Sequence, residues 1–312
     1  MEPVENRSKS KDLKKKFAFS SLPYKRQRDI ISISFLFIPI LLLFVFSYLP
    51  AFAMVGYSFT DWDGINPTKH FIGVENYQTI FSDTSFFQPL VTSLYYLAGS
   101  FIQIGLATVI ATLLSYQLRA KNFFKGVYFF PSLINSVAIG FIFLFFFQPD
   151  GTLDSVLKML GLYDPSRLWL GDPALVNVSL AFTSVWRYIG YNIVMFAAAI
   201  QSISPDILEA ANVDGANKFQ QFKYIILPGI STILSLQLFL AISGALTVFE
   251  IPYIMTEGGN GSMTFVIQAV NLAFKNQRVG LASALALILM FVTVVVSILQ
   301  KSILKDEGEK LR

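Results

Sequence analysis

Long apolar runs with almost no charge alternate along this chain with short polar segments. About 20 apolar residues, rising about 1.5 Å each as a helix, cross a hydrocarbon core about 30 Å thick. The pattern therefore predicts an all-α integral membrane protein with six spans. The alternative, buried helices of a large soluble protein, would need polar faces on the outer helices, and these runs have almost none. The predicted spans are residues 31–56, 88–117, 126–148, 174–201, 228–253 and 279–301.

Composition excludes several kinds of active site. The 312 residues are 54% hydrophobic and 14% charged, with no cysteine and one histidine, His70, in a predicted loop. Disulfides, thiolate metal sites and cysteine nucleophiles are therefore excluded. The motifs G-x-x-x-x-G-K-[ST], G-x-S-x-G and H-E-x-x-H are absent. We expect no catalytic residues, no metal site and no cofactor bound by this chain.

The distribution of basic residues predicts the orientation in the membrane. With six spans, both termini share one side with the loops after spans 2 and 4. That side carries 18 of the 24 Lys and Arg residues, the opposite side carries 5, and Arg187 lies within a span. The positive-inside rule therefore places both termini in the cytoplasm. The chain divides into a basic tail, 1–29, a six-span domain, 30–303, and a C-terminal tail, 304–312; the basic tail is expected to contact anionic lipid rather than nucleic acid.

A polar loop, residues 202–228, separates the fourth and fifth spans on the predicted cytoplasmic side. Ser204 and Pro205 are typical of a helix start. Asp214-Gly215 should end this first short helix, because glycine adopts backbone angles that other residues avoid. A second helix from about Ala216 should run into Pro228. Two short helices at an angle could dock into a groove on a partner, or could be a surface turn without a partner.

The residues of this loop resemble a known family. Its pattern is E-A-A, three residues, G, nine residues, I, one residue, then L-P. This resembles the signature loop of the membrane permeases of binding-protein-dependent ABC importers. Segments such as YSFTDWDG, FFKGVYFFP and VFEIPYIMTEGG extend the resemblance to the carbohydrate-uptake branch, over essentially the whole chain. Within that branch the chain resembles the F-type subunit of maltose and multiple-sugar permeases, although the extra spans and large periplasmic insertion of the maltose permease are absent.

The resemblance implies a function and a set of partners. The chain would be a multi-pass protein of a bacterial or archaeal cytoplasmic membrane, forming half of the pore with a second six-span permease. Two ATP-binding subunits would bind ATP-Mg and hydrolyse it, so this chain would be no enzyme. An extracytoplasmic solute-binding protein would deliver the sugar. The loop would provide the coupling helices that contact the ATPase, with these residues: Glu209, Ala210, Ala211, Asp214, Gly215, Leu227 and Pro228.

Aromatic and planar polar side chains in spans 4 and 5 are candidates for the substrate path, because sugars are held by such groups. Arg187 and Glu250 should lie near one level towards the outside. They could form an ion pair, contact substrate, or extend to the outer interface, since an unpaired charge within a membrane is costly. The candidates are Trp186, Arg187, Tyr188, Tyr191, Asn192, Ser243, Thr247 and Glu250.

Two alternative functions remain at this point. An ABC permease for a related polar solute, such as glycerol phosphate or an acidic saccharide, would make use of the Arg187 charge. A secondary transporter or channel should show internal symmetry or a coupling-ion carboxylate at mid-membrane, and neither is visible. Alignment to the maltose permease places Ala245 and Val248 where that relative has polar asparagines, which points away from maltose itself.

Overall fold

The computed structural model describes residues 23–116 and 120–310, so most of the predicted basic tail lies outside the described residues. Every regular element in those ranges is helical, apart from one isolated antiparallel bridge between Thr60 and Phe71. The first α-helices are α1 (Tyr24–Leu43), α2 (Leu49–Tyr57), α3 (Glu75–Ser82), α4 (Pro89–Ser115), α5 (Lys121–Leu133), α6 (Ser136–Phe147) and α7 (Thr152–Met159). They are followed by α8 (Val176–Gln201), α9 (Pro205–Val213), α10 (Lys218–Gln221), α11 (Leu227–Gly229), α12 (Ser231–Thr247), α13 (Glu250–Thr256), α14 (Phe265–Val270) and α15 (Val279–Lys310). A 3₁₀ turn (Thr84–Phe87) and three π-helical turns (Phe44–Tyr48, Phe222–Ile226 and Asn271–Lys275) complete the set.

The chain divides into two units, one ending at Gly56 and the other beginning at Tyr57. In the first unit, α1 and the π-turn Phe44–Tyr48 lead directly into α2. The N–H of Leu49 bonds the carbonyl of Phe44, five residues back. The next residue, Pro50, has no N–H to donate, so the widened turn lies where the regular bonding pattern must break.

In all, four single helices or runs of successive helices are apolar and long enough to cross a membrane within the described residues. They are Tyr24–Tyr57, Thr84–Ser115, Ser231–Thr256 and Val279–Ser302. Two bent helix pairs, α5 with α6 and α8 with α9, raise the number to six if each pair is one span.

The predicted span 126–148 is not one straight helix in the structure. Helices α5 and α6 meet at an angle of 95°. Pro131 lies near the end of α5, where its missing N–H weakens the last turn. Asn135 then starts α6, because its side chain accepts a hydrogen bond from the N–H of Val137 at 2.8 Å. A continuous apolar pattern concealed this break, since both helices are apolar.

Helix α8 is central to the second unit. It packs against α4 through fully buried side chains that include Ala107, Ala111, Ile193 and Phe196. It also meets α5 backbone to backbone, because a Cβ atom at Gly190 would lie 1.7 Å from the carbonyl oxygen of Tyr128. Only glycine permits this approach, as is common between membrane helices. The contact fixes the part of α8 that carries Arg187 and Tyr191.

The predicted fifth span, 228–253, is also interrupted. Helix α12 ends at Thr247, Val248 and Phe249 leave the helical conformation, and α13 begins at Glu250. Non-helical backbone at membrane depth is tolerated where it is enclosed by protein or lines a cavity. The interruption at Val248 and Phe249 therefore indicates that this part of the chain lines a cavity.

Candidate functional site

A cavity of about 620 Å³ lies between α4, α8 and the interrupted segment α12–α13. Its volume is typical of small-molecule sites, which span about 300–1,000 Å³. Val248 and Phe249, the residues of the interruption, form part of its wall. Its aromatic lining consists of Tyr96, Tyr188, Tyr191 and Phe249, and its uncharged polar lining consists of Ser100, Gln103, Ser184, Asn192, Gln237 and Thr247.

Arg187 and Glu250 are the charged residues of this lining. The Nη1 atom of Arg187 lies 3.4 Å from Oε2 of Glu250. The pair is unequal, because the side chain of Arg187 is 11% exposed and that of Glu250 is 58% exposed. The guanidinium also lies 4.8 Å from the ring centre of Tyr188. Its Nε atom is buried and has no hydrogen-bond partner among the described residues.

Three buried amides contribute to the same wall. Gln103 of α4, Asn192 of α8 and Gln237 of α12 are each at most 8% exposed. Gln237 lies 10 positions before Thr247, the last residue of α12, which is roughly 15 Å along a helix rising 1.5 Å per residue. The cavity therefore extends over much of the depth of the helices.

Several polar atoms of the lining lack a partner within the described part of the chain. They are Oη of Tyr96, Oγ of Ser184, Nε of Arg187 and Nε2 of Gln237. A buried polar group without a hydrogen bond costs about 1–3 kcal/mol, so such groups call for water or a ligand. The clustering of four of them around one cavity favours a binding site.

Most of the substrate-path residues predicted from the sequence meet in this cavity. Arg187, Tyr188, Tyr191, Asn192, Thr247 and Glu250 all line it. Ala245 and Val248 line it as well.

Trp186 and Ser243 are not part of the cavity wall. The ring of Trp186 packs edge-on against Phe143, with 5.1 Å between the ring centres. Neighbouring residues on a helix point in different directions, so Trp186 and Arg187 cannot share a face. The carbonyl of Ser243 accepts a hydrogen bond from the hydroxyl of Thr247 at 3.0 Å.

Tyr96, Gln103 and Gln237 were not identified from the sequence. Gln103 and Gln237 are the only amide side chains of α4 and α12, whereas Tyr96 directly follows Tyr95. That isolation was the available signal, because a lone amide within a membrane span is expensive unless it serves packing or binding. Which of these side chains share a cavity depends on how three helices pack.

The 202–228 loop contains the two short helices predicted from its residues. Helix α9 leaves α8 at an angle of 75°. Ser204 occupies its N-cap position and Pro205 its first turn, although the Ser204 side chain makes no capping bond. After α9 the backbone of Gly215 has φ +80°, the left-handed region that favours glycine. Helix α10 then starts with a capping box between Asn217 and Gln220.

The coupling residues predicted for this loop lie mainly on its surface. Glu209, Ala210, Asp214, Gly215 and Pro228 are exposed. Ala211 and Leu227 are half-buried. Large apolar side chains are exposed beside them, namely Ile207, Val213, Phe219 and Tyr224. An apolar surface around a carboxylate such as Glu209 is typical of a protein contact.

Charges in the loops outside the candidate spans form local pairs. The Lys275 ammonium donates a hydrogen bond to Glu257 at 2.8 Å and lowers the pKa of that carboxyl group. Lys158 likewise bonds Asp150 and lowers its pKa. No group of three or more His, Asp or Glu side chains that could hold a metal ion occurs in residues 23–116 and 120–302.

Comparison with known proteins gives a consistent picture. Residues 103–306 match a family described as "Binding-protein-dependent transport system inner membrane component". The chain is 34% identical to the probable ABC transporter permease protein YurN of Bacillus subtilis, over 91% of this chain and 99% of that protein. It is 32% identical to the multiple sugar-binding transport system permease protein MsmF of Streptococcus mutans, over 86% and 92% of the two chains. A chain in the crystal structure of a bacterial alginate ABC transporter with its pentasaccharide-bound periplasmic protein shares the fold, with a TM-score of 0.81, 19% identity and coverage of 90% and 96%.

Proposed function

This chain belongs to the family of binding-protein-dependent transport system inner membrane components, and from that premise we propose that it forms half of the pathway by which an ABC importer carries a sugar or oligosaccharide. The family indicated by the loop motif is therefore confirmed, and the chain is a membrane permease rather than an enzyme. The permease fold is also that of the alginate transporter chain. The substrate, the partners and the roles of individual residues are the content of the proposal.

The cavity between α4, α8 and α12–α13 is the observation that carries the proposal. Its aromatic rings can stack on the apolar faces of a sugar, and its amides and hydroxyls can bond sugar hydroxyl groups. The unpartnered atoms of Tyr96, Ser184 and Gln237 would find their hydrogen bonds on such a ligand. The sugar-transport function in the name of the Streptococcus relative supports the same substrate class.

An uncharged saccharide is the substrate that this chain's half of the cavity favours. Arg187 and Glu250 cancel as charges and lie within 3.4 Å of each other. The rest of the lining is neutral. A second candidate, an acidic saccharide, is favoured by the unpartnered Nε of Arg187, which could bind a carboxylate that displaces Glu250.

Tyr191→Ala and Gln237→Leu are each expected to lower uptake about tenfold. The loss of a sugar contact of about 1.4 kcal/mol changes binding by that factor. Uptake is measured in proteoliposomes of the purified complex with its binding protein, using a panel of neutral and acidic trisaccharides. Trp186→Phe is the matched control, because it preserves the ring packed on Phe143, and its uptake should stay within about twofold. Unchanged uptake in both cavity variants would remove the cavity from the pathway.

We also infer the remaining partners from the family. A second permease completes the pore, two ATPase subunits bind ATP-Mg and contact the 202–228 loops, and an extracytoplasmic protein delivers substrate.

The excess of Lys and Arg in the termini and in the loops on their side favours cytoplasmic termini. A reporter enzyme that works only in the cytoplasm should therefore be active when fused at Arg312. A reporter that works only outside the cytoplasm should be active when inserted beside Asn66. An external C-terminal reporter contradicts this topology.

A further inference from the structure

Gln221 is the most deeply buried polar residue of the 202–228 loop. It is 1% exposed, whereas its neighbour Gln220 and the nearby Phe219 are exposed. Long polar side chains are rarely buried so completely unless they are fully hydrogen-bonded. Gln221 is the last residue of α10, the loop's second helix, so its hydrogen-bond partners show which other parts of the loop are tied to that helix.

The side-chain amide of Gln221 connects three parts of the loop. Its Nε2 group donates to Oδ1 of Asn212, near the end of α9, at 2.7 Å. The same group donates to the carbonyl of Ala216, just after the Gly215 turn, at 2.9 Å. Its Oε1 accepts a hydrogen bond from Nζ of Lys218 at 3.3 Å. Both amide hydrogens and the carbonyl oxygen therefore have partners.

The turn at Gly215 needs such a connection. A Cβ atom built at Gly215 meets nothing within 4 Å, so no packed side chain surrounds this residue. Backbone bonds hold the α9 side of the turn, because Gly215 and Ala216 donate to Asn212 and Ala211. The Gln221 amide is the side-chain link from there to α10.

The second arm of the loop continues into the core of the protein. Ile226 and Ile230 follow Gln221, are each 1% exposed, and belong to the apolar cluster that joins α4 and α8. A displacement of α9 can therefore reach the core along this arm only if the angle at Gly215 does not change. If the angle at Gly215 could change freely, a displacement of α9 would only bend the loop.

We propose that Gln221 is a positioning residue that holds the two helices of the 202–228 loop at a fixed angle, so that movement of a bound ATPase subunit is transmitted to α8 and α12. The inference rests on the proposed function, because it assumes that this loop contacts the ATPase. Gln221 itself is buried and acts through Asn212 and Ala216 rather than by touching the partner.

The test uses the full transporter complex with Gln221→Met, which keeps the length of the side chain and removes its hydrogen bonds. The variant should co-purify with its ATPase subunits in normal amounts. Substrate transported per ATP hydrolysed should fall at least about fivefold, the lower end of typical couplings between two sites. A residue needed only for folding would lower the amount of complex and leave this ratio unchanged.

Gln220→Met is the matched control. Gln220 is the neighbouring glutamine, and its side chain also makes one loop hydrogen bond, to the N–H of Asn217 at 2.8 Å. The ratio of transport to hydrolysis should stay within about twofold of the wild type in this variant. A fivefold fall in the control as well would mean that any disturbance of the loop uncouples transport, and would overturn the specific role of Gln221.

Asn212→Ala removes the hydrogen bond between Gln221 and Asn212 from the acceptor's side. It removes the Asn212 acceptor from an exposed position, so the protein should fold even if Gln221→Met does not. The double variant should be no worse than Gln221→Met, since partners in one interaction are not additive. Assembled complexes of Asn212→Ala with a wild-type ratio would overturn the proposal.

The variant Glu209→Lys separates this inference from the proposed function. If Glu209→Lys retains full ATPase binding and transport, the loop does not contact the ATPase. If Glu209→Lys fails and Gln221→Met remains fully coupled, the loop is the contact and the inference about Gln221 is wrong.

Discussion

Gly215→Val is expected to abolish transport while the permease still inserts into the membrane. The backbone of Gly215 has φ +80°, which β-branched residues strongly resist. Space is not the obstacle, because a Cβ atom there meets nothing within 4 Å. The strain, about 1–2 kcal/mol, is relieved if the turn opens and the angle between α9 and α10 changes. The assay is uptake by the purified complex, together with its content of ATPase subunits.

Gly215→Asn is the control that isolates the backbone angle. Asparagine is larger than glycine but enters the left-handed region far more easily than valine. Uptake by Gly215→Asn should therefore remain within about threefold of the wild type. If valine and asparagine reduce uptake equally, the side chain at this position matters and the angle does not. Full uptake by Gly215→Val would contradict the docking role of the loop.

Glu209→Lys tests the same loop by its charge. Glu209 is exposed on α9 beside an apolar surface, so a change of sign there should not disturb folding. A carboxylate facing basic residues of an ATPase makes a charge-assisted contact, and lysine at that position repels them. We expect little co-purified ATPase and no transport.

The two short helices of the 202–228 loop could be predicted from the sequence because each depends on residues within the loop itself. Pro205 starts α9, Gly215 forms the turn that follows it, and Pro228 begins the next apolar run, all within 24 positions. Each signal acts over a few residues, so no tertiary information was needed.

Only some of the cavity residues could be predicted from the sequence, because the cavity is formed by the packing of separate helices. Arg187 and Glu250 are unusual charges in apolar runs and were identified by type. Their distance of 3.4 Å depends on the interruption at Val248 and Phe249, for which the sequence offers no proline or glycine at those two positions. Gln103 and Gln237 lie on different helices and share a cavity because α4 and α12 pack against each other and against α8.

Glu250→Gln is expected to reduce the amount of folded permease more than Arg187→Met does. Removing Glu250 leaves the guanidinium of Arg187, 11% exposed, without its anion. Breaking a fully buried pair in this way costs about 3–5 kcal/mol, and the exposure of Glu250 makes that figure the upper limit here. Removing Arg187 leaves Glu250, 58% exposed, in contact with water, at a cost of about 0–1 kcal/mol. The measurement is the amount of detergent-stable permease after heating.

The double variant, Arg187→Met with Glu250→Gln, should recover most of the loss caused by Glu250→Gln alone. A pair of neutral residues leaves no buried charge, so the two changes cannot be additive. Glu257→Gln is the matched control: it also breaks a carboxylate–cation pair, with Lys275 at 2.8 Å, but both partners are at least half exposed. Its loss of heat-stable permease should be much smaller than that of Glu250→Gln, because an exposed ion pair contributes little to stability. A loss in the double variant equal to the sum of the two single losses would show that Arg187 and Glu250 act separately, and each would then need its partner in the substrate or in the second permease.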